Sequence, residues 1–139
     1  MTQEEKKLKD LCSRIPYGTK VCVPKLSDGV YELVGVRESE PGKYVAELRS
    51  SPKSMVAIPI DMVKPCYFSM ASMTLEQRRE WHSTMFREDY DILIPTPYSF
   101  DWLNRNHFDY LGLIDTEDAI DVTNLNIYTR YGEDNNKEL

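Results

Sequence analysis

His107 and Asp109 stand two positions apart, an H-x-D pair of the kind that can ligate a metal ion or hold a general base in place. With Asp115 they form the residue set a small metal-dependent hydrolase would need. The competing reading is structural, because a histidine at the aromatic end of a helix commonly packs rather than ligates. Cys66 offers a thiol that His107 could activate, yet its neighbours Pro65 and Tyr67 read as a packed strand. His82 lies among the charged residues of a helix and reads as solvated. Asp115, Glu117, Asp118 and Asp121 resemble a calcium loop, without the glycine and closing bidentate glutamate of an EF-hand.

Other chemistries are excluded by spacing. The six glycines lie at 18, 29, 35, 42, 112 and 132, never closer than six positions. A G-x-G-x-x-G nucleotide loop, a Walker loop and a G-x-S-x-G nucleophile elbow are therefore absent. Cys12, Cys22 and Cys66 form an odd set with no C-x-x-C pair, and both histidines are remote from them in sequence. That pattern predicts three buried, inert, reduced thiols and neither metal nor cofactor.

Recognition is better provided for than catalysis. Tyr98, Phe100, Trp102, Phe108 and Tyr110 form the densest aromatic group. Phe100, Leu103 and His107 fall on one helical stripe, and Tyr98, Trp102 and Asn106 on another. Such a helix is either sandwiched in the core or exposes one stripe to a partner. Charge is uneven: residues 1–69 carry 11 basic and 9 acidic side chains, residues 70–139 carry 6 and 14. An acidic face repels nucleic acid, so direct nucleic-acid binding is not expected. The expected binding surface comprises Trp102, Asp109, Asp115 and Asp118, facing a basic protein partner.

The elements that must position these residues follow from patterning. The chain has 139 residues, with 41% hydrophobic and 29% charged and a net charge of −6, an ordinary balance for a single globular unit. A helix is predicted over 3–15, capped by Thr2 with Glu5, its stripe formed by Leu8, Leu11, Cys12 and Ile15. Strands are predicted at Thr19–Val23, Val30–Arg37, Lys43–Arg49, Met55–Ile60 and Val63–Phe68, separated by turn signals at Asp28-Gly29 and Pro41-Gly42. Five short strands predict an antiparallel barrel. Thr74 and Gln77 open a charged helix over Leu75–Arg87. Ile92–Ile94 reads as a short buried run, and Ser99 as the cap of a helix at Phe100–Asn106. Ala119–Val122 follows as an apolar run, and residues 132–139 as a frayed polar tail. The fold class is thus α+β: residues 1–69 form an N-terminal helix on the barrel, and residues 70–139 an acidic α+β extension packed on it as one compact unit. No apolar leader opens the sequence, which predicts a soluble, cytoplasmic protein.

Two resemblances add to this. Ala57-Ile58-Pro59-Ile60-Asp61-Met62-Val63 is similar to the end of an SH3-type barrel, where an apolar-Pro step, one helical turn and a last strand succeed each other. The aromatic groove of SH3 domains is not matched, since residues 17–68 lack tryptophan. The Leu11–Gly18 step, the Met70–Arg79 linker and the run Ser99–Asp115 resemble small uncharacterised proteins of Bacteroides-type gut bacteria and their phages and mobile elements. That resemblance implies a phage or mobile-element setting and no activity. The expected function is a non-enzymatic binding or accessory protein; a nucleic-acid mimic inhibiting a host nucleic-acid-binding protein is the alternative, ahead of the hydrolase.

Overall fold

The computed structural model describes residues 1–87 and 92–128; the polar tail at 132–139 lies outside them. Helix α1 spans Gln3–Arg14, with the Thr2 hydroxyl accepting from the Glu5 N–H at 3.1 Å. A 3-10 turn at Ile15–Tyr17 follows, and Gly18, at φ +63°, makes the left-handed exit that Pro16 forces on the chain. Leu11 is fully buried, with Leu8 and Ile15 packed beside it. The buried stripe of α1 nevertheless runs through Lys7, Asp10, Leu11 and Arg14, and Cys12 is exposed. The expectation of three buried thiols is corrected here. α1 is covered on two sides, by the sheet and by the C-terminal loop, so polar side chains are enclosed with the apolar ones.

Strands β1 (Lys20–Cys22), β2 (Val30–Glu40), β3 (Lys43–Ser51), β4 (Ser54–Pro59) and β5 (Lys64–Tyr67) lie where patterning placed them. β2, β3 and β4 form an antiparallel meander, and β1 pairs antiparallel with both β2 and β5. Pro59 ends β4, and a 3-10 turn at Ile60–Met62 leads to β5. The register of β2 against β3 shifts between Leu33 and Gly35. This irregularity bends β2 and helps the sheet to curl.

The sheet does not close into a five-stranded barrel. A sixth strand, β8 (Ile120–Asp121), pairs in parallel with β5, giving the order β4-β3-β2-β1-β5-β8 in a curled, open half-barrel. Closure would need β5 to meet β4, and that edge of β5 is occupied by residues from the far end of the chain.

The remaining elements follow β5. Helix α2 (Leu75–Ser83) opens on a reciprocal capping box between Thr74 and Gln77. β6 (Phe86–Arg87) pairs with β7 (Ile92–Leu93). Ile92 and Leu93 are about half exposed, contrary to a buried run, because this two-stranded ribbon pairs with no other strand among the described residues. Helix α3 covers Pro97–Arg105 and is capped by Thr96, with Ser99 as the third residue of its capping box. Proline is favoured at the first helical position, which moves the start upstream of the Ser99 expected from sequence.

Three apolar clusters result. One lies between α1 and the curled sheet, around Val21, Leu33 and Leu48; the second gathers Phe68, Trp102, Leu103, Phe108 and Tyr128; the third joins Tyr67, Leu113 and Ala119. No helix among the described residues is long and apolar enough to cross a membrane.

Candidate functional site

Asp10 and Arg14 are spaced i, i+4 on α1, and both side chains are completely inaccessible. Asp10 Oδ1 accepts from Arg14 Nε at 3.3 Å and Nη2 at 3.1 Å, while Oδ2 accepts from the Tyr67 hydroxyl. Nη2 also donates to the Phe108 carbonyl at 2.6 Å. The guanidinium carbon lies 4.1 Å from the Tyr67 ring centroid and 5.0 Å from that of Tyr110. Arg14 Nη1 is buried without a hydrogen-bond acceptor, and the two ring faces offset part of that loss. Burial pushes the Asp10 carboxyl above its ordinary range, against the pull of Arg14 and Tyr67. Burial and the adjacent Asp10 keep the Tyr67 hydroxyl protonated, so it remains a donor.

In front of this network a cleft of about 370 Å³ opens between α1 and α3. Lys9, Asp10 and Ser13 line it from α1, Phe100 and Asn104 from α3, and Tyr110 and Leu111 from the segment beyond. Phe100 is 44% exposed, its ring 5.4 Å from that of Tyr110, and Tyr98 is 77% exposed at the start of the same helix. The Tyr110 hydroxyl donates to Asn104 Oδ1 at 2.8 Å. Asp10, Asn104 and Tyr110 at the base of the cleft are thus engaged in hydrogen bonds, while Lys9, which is exposed, and the rings of Phe100 and Tyr110 with Leu111 complete its lining. A hydrogen bond from the Tyr17 hydroxyl to Asp101 ties α3 to the end of α1.

Residues 110–118 run back along α1. Tyr110 sits beside Ser13, and Gln3 donates to Thr116 Oγ1 at 3.0 Å and Asp118 Oδ2 at 2.8 Å. At 1.5 Å rise per residue, the cleft and this turn are roughly 15 Å apart on one flank. Partial burial alone would raise the Asp118 carboxyl, but hydrogen bonds from Thr116 and Gln3 hold it below its ordinary range. Asp115 and Glu117 are exposed, Glu117 at φ +63°.

The four residues expected to form a binding surface separate. Trp102 is 2% exposed, stacked on Phe108 at 5.8 Å, with its indole N–H donating to Glu80 Oε1 at 3.1 Å. Asp109 is buried, and its carboxylate accepts from the Leu113 and Ile114 N–H groups, both at 2.9 Å, which fixes the following turn. Asp115 and Asp118 lie at the surface. As a surface anchor, Trp102 is replaced by Phe100 and Tyr98, whose exposure the aromatic spacing left undecided.

The hydrolase set is not assembled. His107 is buried at φ +63°, its ring stacked 3.8 Å over Tyr128, and burial depresses its pKa to about 3. Its Nδ1 has no hydrogen-bond partner, Asp109 is turned to the backbone, and Asp115 faces outward. Among the described residues no three His, Cys, Asp or Glu side chains are grouped to hold a metal. The Cys66 thiol contacts that of Cys22, and burial together with that neighbour pushes it far up, the reverse of an activated nucleophile. Comparison of the chain with protein-family models, curated proteins and solved structures finds no match in any of the three.

Proposed function

We propose that this protein is a non-enzymatic binding or accessory module that engages a basic protein partner through the flank formed by α1, α3 and residues 110–118. The partner inserts an apolar side chain between Phe100, Tyr110 and Leu111 and sets basic side chains against Asp115 and Glu117. One observation carries this reading: the cleft joins exposed aromatic surface to a base where Asp10, Asn104 and Tyr110 are already held in hydrogen bonds. Such a site holds an occupant by apolar contact and offers it no activated nucleophile or base. The acidic turn about 15 Å away selects the charge of the partner and speeds encounter. The strand order and the 3-10 turn after Pro59 support the SH3-like comparison for residues 17–68, and a phage or mobile-element setting accords with an accessory role.

The test is affinity purification with the full chain as bait in its native host, followed by binding kinetics on the protein identified. Phe100→Ser should weaken the complex by ~30-fold, the loss expected of a hot-spot side chain, without moving the melting temperature. Asp115→Asn with Glu117→Gln should slow association at low salt, with no difference at high salt. A partner indifferent to both variants would overturn the proposal. Displacement of the partner by duplex DNA would establish nucleic-acid mimicry in its place.

A further inference from the structure

Cys22 in β1 and Cys66 in β5 lie on adjacent antiparallel strands. In that register Val21 faces Pro65 and Cys22 faces Lys64, so the two cysteines are diagonal neighbours on the same face of the sheet. Their sulfur atoms are 3.5 Å apart. Cys66 is 1% exposed and held in place, with its strand paired to Ile120 and its carbonyl receiving the Tyr128 hydroxyl at 2.9 Å. Cys22 is only partly buried, which makes it the less enclosed residue of the two. Closing the gap to a bonded distance requires a movement of about 1.5 Å, within reach of side-chain rotation and a small strand adjustment.

We propose that Cys22 and Cys66 form a reversible disulfide when the protein meets a hydroperoxide. The Cys22 thiolate attacks one peroxide oxygen: an S–O bond forms, the O–O bond breaks, and the departing oxygen leaves with a proton as water or alcohol. The Cys66 sulfur then attacks the Cys22 sulfenic acid: an S–S bond forms, the S–O bond breaks, and the Cys66 proton leaves with the hydroxyl as water. Each thiol sulfur gives up one electron, and the peroxide takes both. A thiol reductant reverses the bond by exchange at Cys22, the less enclosed residue of the two.

The proposal is independent of the α1–α3 cleft and is tested on the whole protein. Cys12 is exposed, so Cys12→Ser removes the competing thiol. Hydrogen peroxide should then lower the intact mass by two hydrogens and yield a peptide pair joined through Cys22 and Cys66. The melting temperature should rise by roughly 5–15 °C, because the bond closes a long loop in the unfolded chain, and dithiothreitol should return it. In Cys66→Ser, dimedone should capture a sulfenic acid at Cys22. Sulfinic acid at Cys22 without the linked peptide at saturating peroxide would overturn the proposal. Peptide mapping of the unmodified sequence decides the question even if the Cys66 variant fails to fold.

Discussion

Replacing Asp10 by Ala removes the acceptor from Arg14 Nε and Nη2 and from the Tyr67 hydroxyl in a site where both charged side chains are wholly inaccessible. The guanidinium would keep the Phe108 carbonyl and the two tyrosine rings, and no carboxylate would balance its charge. Breaking a buried pair from one side costs about 3–5 kcal/mol, and the contacts Arg14 retains place the expectation near 3. That is a large part of a total stability of about 5–15 kcal/mol. Replacing both partners, as Asp10→Leu with Arg14→Met, leaves no uncompensated charge and should lie within about 2 kcal/mol of the parent. Urea unfolding followed by tryptophan fluorescence measures Asp10→Ala and, for the cycle, the parent, Asp10→Leu, Arg14→Met and the double variant. A loss below about 1 kcal/mol in Asp10→Ala, or a double variant no better than the poorer single one, would refute the reasoning.

Trp102→Ala should cost about 3–5 kcal/mol, since the indole is buried against Phe108; near-parental stability in urea would return Trp102 to the surface. His107 has a pKa of about 3 in the fold against 6.5 ordinarily, so the unfolded chain binds the extra proton as pH falls between these values. The stability it contributes is therefore complete above 6.5 and lost progressively toward 3. His107→Asn tolerates the positive φ and should flatten the pH dependence of the melting temperature across that window; superimposable slopes would contradict it.

The strands of residues 19–68 were legible because each is bounded by a strong turn signal: Gly42 occupies the left-handed region at φ +79°, and Ala46 and Leu48 alternate inward. Closure of the sheet was not legible. It is decided by β8, two residues long, which arrives 54 positions after Cys66 to take its edge. The Asp10–Arg14 spacing matches an ordinary solvated helix pair. Only Tyr67, Phe108 and Tyr110, distant in sequence, turn it into a buried network. The aromatic group gave two helical stripes without saying which one the core would take. The structure takes neither stripe whole: it buries Trp102, Leu103 and His107 and leaves Tyr98 and Phe100, at the start of the helix, outside.

The bonds from α1 and β1 to the later residues bear on how the chain emerges during synthesis. Gln3 reaches Thr116 and Asp118, Arg14 reaches Phe108, and Lys20 reaches Tyr128, across separations of 113, 115, 94 and 108 residues. None of these contacts can form while the ribosome still holds those later residues, and such distant closures are slow. Until then Lys7, Asp10 and Arg14 remain hydrated and keep much of the nascent helix polar. The charged groups that burden the finished interior thus give the half-made chain a surface that resists sticking to its neighbours.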